Sequence, residues 1–189
     1  MNTLSSQYYP SANTGELMFR RALAADVGSI SELVNSAYRG ESSRVGWTTE
    51  ADMLGGQRTD ADEISQLLLP EGSAILLCVR AGDIVGSVHV QRVDAALAYL
   101  GMLVIRPVLQ GQGLGRCLME VAERFVRAEW GATQLQMQVI TLRHELIAYY
   151  ERRGFQRTGE IRPFPATDPR FGLPKVNGLI FEVLEKALS

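Results

Sequence analysis

The sequence predicts a single α/β domain built on a mixed, mostly antiparallel sheet flanked by helices. Apolar, β-prone runs alternate along the chain with amphipathic runs of helical spacing, and two adjoining β-runs are joined by a hairpin turn. A length of 189 residues gives one well-cored domain and is short for two. No internal repeat interrupts this pattern.

The elements follow in order. Residues 1–15 are polar, contain Pro10 and are expected to be a disordered tail, leaving 16–189 as the domain. Phe19 to Leu23 reads as a short strand, and Ala24 to Tyr38 as a helix with Ile30, Leu33 and Val34 on one face. Residues 39–59 are rich in Gly, Arg and Thr, around an isolated Trp47. An acidic first turn marks a helix over Asp60 to Leu69. Strands Ser73–Arg80 and Ile84–Val93 flank the turn Ala81-Gly82-Asp83. Leu97 to Ile105 (LAYLGMLVI) is a buried strand, ended by Pro107, which cannot donate a ladder hydrogen bond. From Leu114 to about Trp130, apolar residues at Leu114, Cys117, Leu118, Val121, Ala122 and Phe125 define an amphipathic helix. Leu135, Met137 and Val139 then alternate with Gln134, Gln136 and Gln138 as a strand. A short helix from Glu145 closes at Gly154, a C-cap glycine, and a strand opens with Phe155. Four of the seven prolines fall in 162–177, before a last strand or strand–helix piece from Leu179 to Leu188.

Composition narrows the function classes. The net charge is −2 and 46% of residues are apolar, an ordinary globular balance, and no basic stripe argues for nucleic acid. Arginine outnumbers lysine 17 to 2, so the positive charge is mostly fixed guanidinium. The N-terminus shows neither a charged nor an apolar leader region, and no apolar run reaches the roughly 20 residues of a membrane helix. A cytoplasmic protein without a membrane partner is expected. Cys78 and Cys117 lie in apolar patterns and are expected to be buried free thiols. His89 and His144 have no partners at ligand spacing, so no metal site is expected.

The segment Gln110-Gly111-Gln112-Gly113-Leu114-Gly115 carries the most chemical information. It places a glycine-rich loop at a helix N-terminus, where unpaired N–H groups and the positive dipole end favour an anion. A phosphate-bearing ligand follows. A nucleoside-triphosphate loop would need Gly-Lys-Ser/Thr, and no lysine is present here. A dinucleotide fingerprint would need glycine at 116, which is Arg116, and an acid about 20 residues on, where Gln134 and Gln136 stand.

The pattern that remains, Gln110 with Gly113 and Gly115, resembles the pyrophosphate loop of the GNAT superfamily of N-acetyltransferases. Downstream, Tyr150-Glu-Arg-Arg-Gly-Phe155 is similar to the end of that superfamily's second signature, Ala-x-x-x-Tyr-x-x-x-Gly-Phe. The chain departs seven residues before the tyrosine, where the family often carries Asn and this sequence has Arg143. The resemblance spans roughly Phe19 to Leu184. It implies a six- or seven-stranded sheet and an acetyltransferase that passes the acetyl group of acetyl-coenzyme A directly to the primary amine of a small molecule or peptide. A homodimer is left open.

The resemblance also implies roles for residues. Backbone N–H groups of Leu103, Val104 and Ile105 would hold the pantetheine and polarise the thioester. Gln110, Gly111, Gln112, Gly113, Leu114, Gly115 and Arg116 would surround the pyrophosphate. Tyr150 would protonate the departing thiolate, which a phenol of reference pKa about 10 can do when placed near the sulfur. Tyr149, about 100° round the helix, is expected to pack. Relatives place a glutamate base at two positions that here carry Leu97 and Gln138, leaving His89, Glu50, Glu160 and water. Trp47, Glu50, His89 and Phe164 are the candidate acceptor contacts, with Asp52 and Phe171 in the same segments. Two other readings stand beside this one: a coenzyme A-binding regulatory module without catalysis, and a site for a different phosphate ligand.

Overall fold

A computed structural model describes residues 17–166, 168 and 172–189. The expected tail over 1–15 and the candidate Phe171 lie outside the described residues. Strand β1 (Leu17–Arg21) leads through a 3-10 turn at Ala24–Asp26 into α1 (Val27–Tyr38) and α2 (Gly40–Ser43). The two-residue strand β2 (Leu54–Gly55) precedes α3 (Ala61–Leu67), then β3 (Ser73–Arg80), β4 (Asp83–Arg92) and β5 (Leu97–Ile105). Helix α4 (Leu114–Trp130), β6 (Gln134–Ile140), α5 (His144–Glu151), β7 (Gln156–Pro163), β8 (Leu173–Pro174) and β9 (Ile180–Ala187) complete the chain.

Seven strands form one sheet in the order β1-β3-β4-β5-β6-β9-β7. Every pair is antiparallel except β5 with β6, as the expected mixed, mostly antiparallel sheet requires. Local chemistry explains the connections. Ala81 and Gly82 take φ of 51° and 87°, the left-handed pair that a tight two-residue hairpin needs to match strand twist. Helix α3 starts at Asp60, whose carboxylate accepts the Glu63 N–H at 2.8 Å. Gly113 and Gly131 bound α4, both in left-handed conformation.

The sheet is covered on both faces, which is why β3 reads as a continuous apolar run. Ile75, Leu77 and Val79 face a cluster with Ile30, Leu33 and Val34 of α1 and Ile64 of α3. Ala74, Leu76 and Cys78 face the larger cluster built on Leu118, Val121, Ala122 and Phe125 of α4, with Ile147 and Tyr150 of α5. Both cysteines are buried and free.

Three expectations shift. The first strand begins at Leu17 rather than Phe19, because its ladder with β3 runs from Leu17↔Arg80 to Arg21↔Leu76. The first helix proper starts only at Val27, because Asp26 is held by Arg20 at 2.7 Å and by the Leu23 N–H at 2.8 Å in a 3-10 turn. Segments 39–59 and 162–177 showed no strand periodicity, yet β2 and β8 pair antiparallel and stitch these loops together. Among the described residues no helix is long and apolar enough to cross a membrane.

Candidate active site

The parallel pair β5–β6 is short. It runs Leu97↔Gln134, Ala98↔Leu135 and Tyr99↔Gln136, and beyond Tyr99 the two strands part. A bulge in β5 accompanies the separation. Ser87 pairs with Val104 and His89 with Gly101, so Met102 and Leu103 together oppose Val88, and Met102 adopts φ 46°. Such a bulge bends the strand and re-aims the groups after it. Backbone groups of β5 that face the gap have no strand to bond. One is answered by a side chain: Tyr38 donates its hydroxyl to the Leu103 carbonyl at 3.1 Å. Burial, reinforced by Glu50, pushes the Tyr38 phenol up to about 12, so it stays a donor at neutral pH.

Two cavities meet at this fork and share Tyr38, Leu103, Leu146 and Tyr150. The smaller, about 40 Å³, adds Trp47, Thr48, Ile105, Gln110, Gly115 and Tyr149, and so abuts the glycine-rich loop. The larger, about 160 Å³, lies between the separated strands and the two stitched loops. Arg39, Glu50, Arg58, Arg143, Tyr99 and Phe164 are among its walls.

Tyr150 stands where the cavities join. Its ring is held edge-on by Tyr149 and Phe155, with centroids 5.4 and 5.8 Å away. Burial, followed by the neighbouring Tyr38 and Tyr149, drives its phenol far above the ordinary value, keeping the proton on oxygen at neutral pH.

The glycine loop is open where an anion would need it. Gly111 and Gly113 have φ of 80° and 82°, and a Cβ added at either would meet nothing within 4 Å. Gly111, Gln112, Gly113 and Arg116 are exposed. Leu114 sends its side chain into the core, and Arg116 sits 3.6 Å from Glu120 one helical turn on. Gly115 is close-packed instead: a Cβ there would lie 3.3 Å from the Tyr149 hydroxyl. Along β5, Leu103 and Ile105 line the smaller cavity, whereas the Val104 side chain turns to the α1 face of the sheet.

Gln110 spends its side chain on protein. Its Oε1 accepts the Trp47 N–H at 3.0 Å, while Nε2 donates to Thr48 Oγ1 at 2.9 Å and to the Ile105 carbonyl at 3.0 Å. From the other side Arg143 donates to the carbonyls of Thr48 and Trp47 at 3.2 and 3.3 Å. Residues 46–48 therefore form a strap between the glycine loop and the start of α5. Trp47, a candidate acceptor contact by sequence, lies on this strap with its ring 5.1 Å from Tyr149 and lines the smaller cavity rather than the larger one that holds Glu50 and Phe164. Tyr149 likewise does more than pack: it lines the same cavity, with the Arg153 guanidinium 3.4 Å from its ring centroid.

The remaining candidates separate. Glu50 and Phe164 line the larger cavity. Glu50 is an ion-pair hub, with Oε2 on Arg39 Nη1 and Oε1 3.8 Å from Arg143 Nη1. Phe164 packs at a tilt against Phe181, centroids 5.4 Å apart, in a cluster with Leu54, Ile140 and Leu179. His89 lies outside both cavities, buried on β4 with Nε2 at 2.9 Å from Ser73 Oγ, and burial pushes its imidazole down to about 4. Glu160 is on exposed β7, bonded to Arg162 at 2.6 Å, and Asp52 is paired with Arg44 at 2.8 Å on the surface. Sequence reasoning missed Tyr38, Arg39, Arg58 and Tyr99. Arg39 and Arg58 sat in an unpatterned loop, and Tyr38 and Tyr99 read as ordinary members of a helix and a strand.

A forked parallel pair, a bulge at the fork and a glycine loop at a helix N-terminus make up the site. The chain belongs to the Acetyltransferase (GNAT) family, whose pattern it matches over residues 31–155. Solved structures agree on the fold. The ribosomal-protein-S18-alanine N-acetyltransferase of Escherichia coli is 18% identical, with a TM-score of 0.67 over 92% of this chain and 95% of that one. The ribosomal-protein-alanine N-acetyltransferase of Brucella melitensis is 20% identical, with a TM-score of 0.65 over 90% and 99%. A GNAT family acetyltransferase of Elizabethkingia anophelis, solved with acetyl-CoA bound, is 18% identical, with a TM-score of 0.57 over 67% and 82%. No curated protein matches the chain.

Proposed function

We propose that the protein is an acetyl-coenzyme A-dependent N-acetyltransferase acting on the primary amine of a small molecule. The observation that carries this reading is the position of Tyr150, buried and protonated where the two cavities join. The smaller cavity ends at the glycine loop, and the larger leads to polar walls.

The residues present fit the coenzyme. The open sides of Gly111 and Gly113 form a cradle that any Cβ would narrow, at the positive end of α4. Backbone N–H groups of Gly111 to Gly115 would hold the pyrophosphate, with Gln110 acting through the strap it anchors. The wall formed by Leu103 and Ile105 would carry the pantetheine. The coenzyme supplies a thioester whose C–S bond is exchanged for the C–N bond of the product amide. A backbone N–H on the bulged stretch would stabilise the thioester oxygen as charge develops on it, a contact worth on the order of 3 kcal/mol. Tyr38 holds that stretch by its bond to the Leu103 carbonyl. Tyr150 donates its proton to the departing sulfur and regains one from solvent. The amine proton leaves to water through the larger cavity, because both oxygens of Glu50 already face guanidinium groups.

Acetyl-coenzyme A with a panel of primary amines, monitored by free-thiol release and product mass, tests the reading. Thiol release that depends on the amine, with an acetylated product, is expected. Coenzyme-dependent thermal stabilisation without transfer to any amine would instead leave a coenzyme-binding module.

A further inference from the structure

Three guanidinium groups, Arg39, Arg58 and Arg143, line the larger cavity against one carboxylate, Glu50. Glu50 is shared by Arg39 and Arg143, and Arg143 also serves the carbonyls of the strap. Arg58 stands apart. Arg58 is half-buried, with its Cζ 5.9 Å from the Tyr38 ring centroid and its Nη1 enclosed, and its side chain makes no hydrogen bond or ion pair with the described residues. A charged donor group on a cavity wall with no protein partner is left to water or to a ligand, and an ionised ligand group gains the stronger, charge-assisted bond. The coenzyme would not supply it: the cavity next to the glycine loop does not include Arg58.

We propose that the amine acceptor carries a carboxylate on the same molecule and that Arg58 receives it. This rests on the acetyl-transfer reading above. A guanidinium is matched in shape to a planar carboxylate, which it can bind through two parallel hydrogen bonds. Excess positive charge in a partly enclosed slot also draws an anionic ligand in. Size points the same way. A cavity of about 160 Å³ is below the roughly 300–1,000 Å³ of sites for drug-sized ligands, and so suits an amino acid-sized acceptor. Leu54, Tyr99, Phe164 and Phe181 supply apolar walls for the rest of that molecule. Arg58 is thus a specificity residue, and Tyr150, on the same cavity, faces the reacting end.

The test compares α-amino acids with their carboxamides, which keep the amine and lose the charge. With acetyl-coenzyme A saturating, kcat/KM is expected to favour the acid by about 10- to 100-fold, mostly through KM, as for a charge-assisted hydrogen bond. Arg58→Gln should bring that ratio close to one, and Arg58→Lys should restore part of it. In parallel, protein saturated with coenzyme A is titrated with N-acetyl amino acids and their amides, a binding readout that needs no turnover. Preference for the acids that is lost in Arg58→Gln supports the carboxylate site even if no amine is acetylated, an outcome that would overturn only the acetyl-transfer reading. Amides used or bound as well as acids, or an acid preference that survives Arg58→Gln, overturns the proposal.

Discussion

Tyr150 and His89 show how burial, the largest influence on each, assigns opposite fates to two titratable side chains. Burial holds the proton on the Tyr150 phenol, the form a general acid needs. Tyr150→Phe removes one hydroxyl and keeps the ring against Tyr149 and Phe155. Single-turnover acetyl transfer should fall about 10²- to 10⁴-fold while acetyl-coenzyme A affinity changes little. Wild-type single-turnover rates in the variant would reduce Tyr150 to packing. For His89 burial removes the proton: the folded-state value is about 4, against about 6.5 unfolded. Above pH 6.5 both states hold a neutral imidazole and pH has no effect through this group. As pH falls from 6.5 towards 4 the unfolded chain takes up a proton that the folded one refuses. Stability is lost there at up to about 1.4 kcal/mol per pH unit. His89→Gln should flatten the acid limb of denaturant-midpoint-against-pH curves, and coincident curves for variant and wild type would refute the assignment. Residue type and spacing singled out both positions, but only packing separated a side chain at the fork from one buried in the sheet against Ser73.

At the scale of elements, the strap over residues 46–48 joins parts of the chain far apart in sequence. Gln110 and Arg143 grip it from opposite sides, and both hold its backbone. The sequence carried the anchors but not the strap. Gln110 belonged to a motif, Arg143 was visible as a departure from one, and a three-residue irregular segment has no periodicity to read. Its one aromatic makes it measurable. The other tryptophan, Trp130, packs edge-on against Phe125 at 5.3 Å at the end of α4, so Trp130→Phe leaves Trp47 as the single reporter. In that background Gln110→Ala should raise acrylamide quenching of Trp47 and weaken coenzyme A binding several-fold. Quenching identical to the parent would mean that Gln110 does not hold the strap closed.

For the whole molecule, the separation of β5 from β6 is the organising event. It divides a sheet covered on both faces into two halves and leaves a gap that ligands can bridge. A ligand bound only by the folded state stabilises it by RT ln(1 + [L]/Kd), about 2.7 kcal/mol at one hundred times Kd. Coenzyme A should therefore raise the melting temperature in a saturable way, and Gly113→Ala should blunt the rise. The substitution itself should cost about 1–2 kcal/mol, because alanine is strained at φ 82°. An equal coenzyme-induced shift in a folded Gly113→Ala protein would remove the pyrophosphate assignment.

By itself the sequence determined the periodic elements and the motif that closes a glycine loop on a helix. Apolar residues at helical or alternating spacing must bury one face, and Gly111, Gly113 and Gly154 occupy backbone conformations that other residues resist. Tertiary structure decided what faces the gap. The bulge at Met102 and Leu103, the pairing of β2 with β8 and the meeting of Arg39, Arg58 and Arg143 around Glu50 all join segments that no local pattern links. Contacts between distant loops leave no period in the chain, so the candidate acid was legible in the sequence and the charge lining the larger cavity was not.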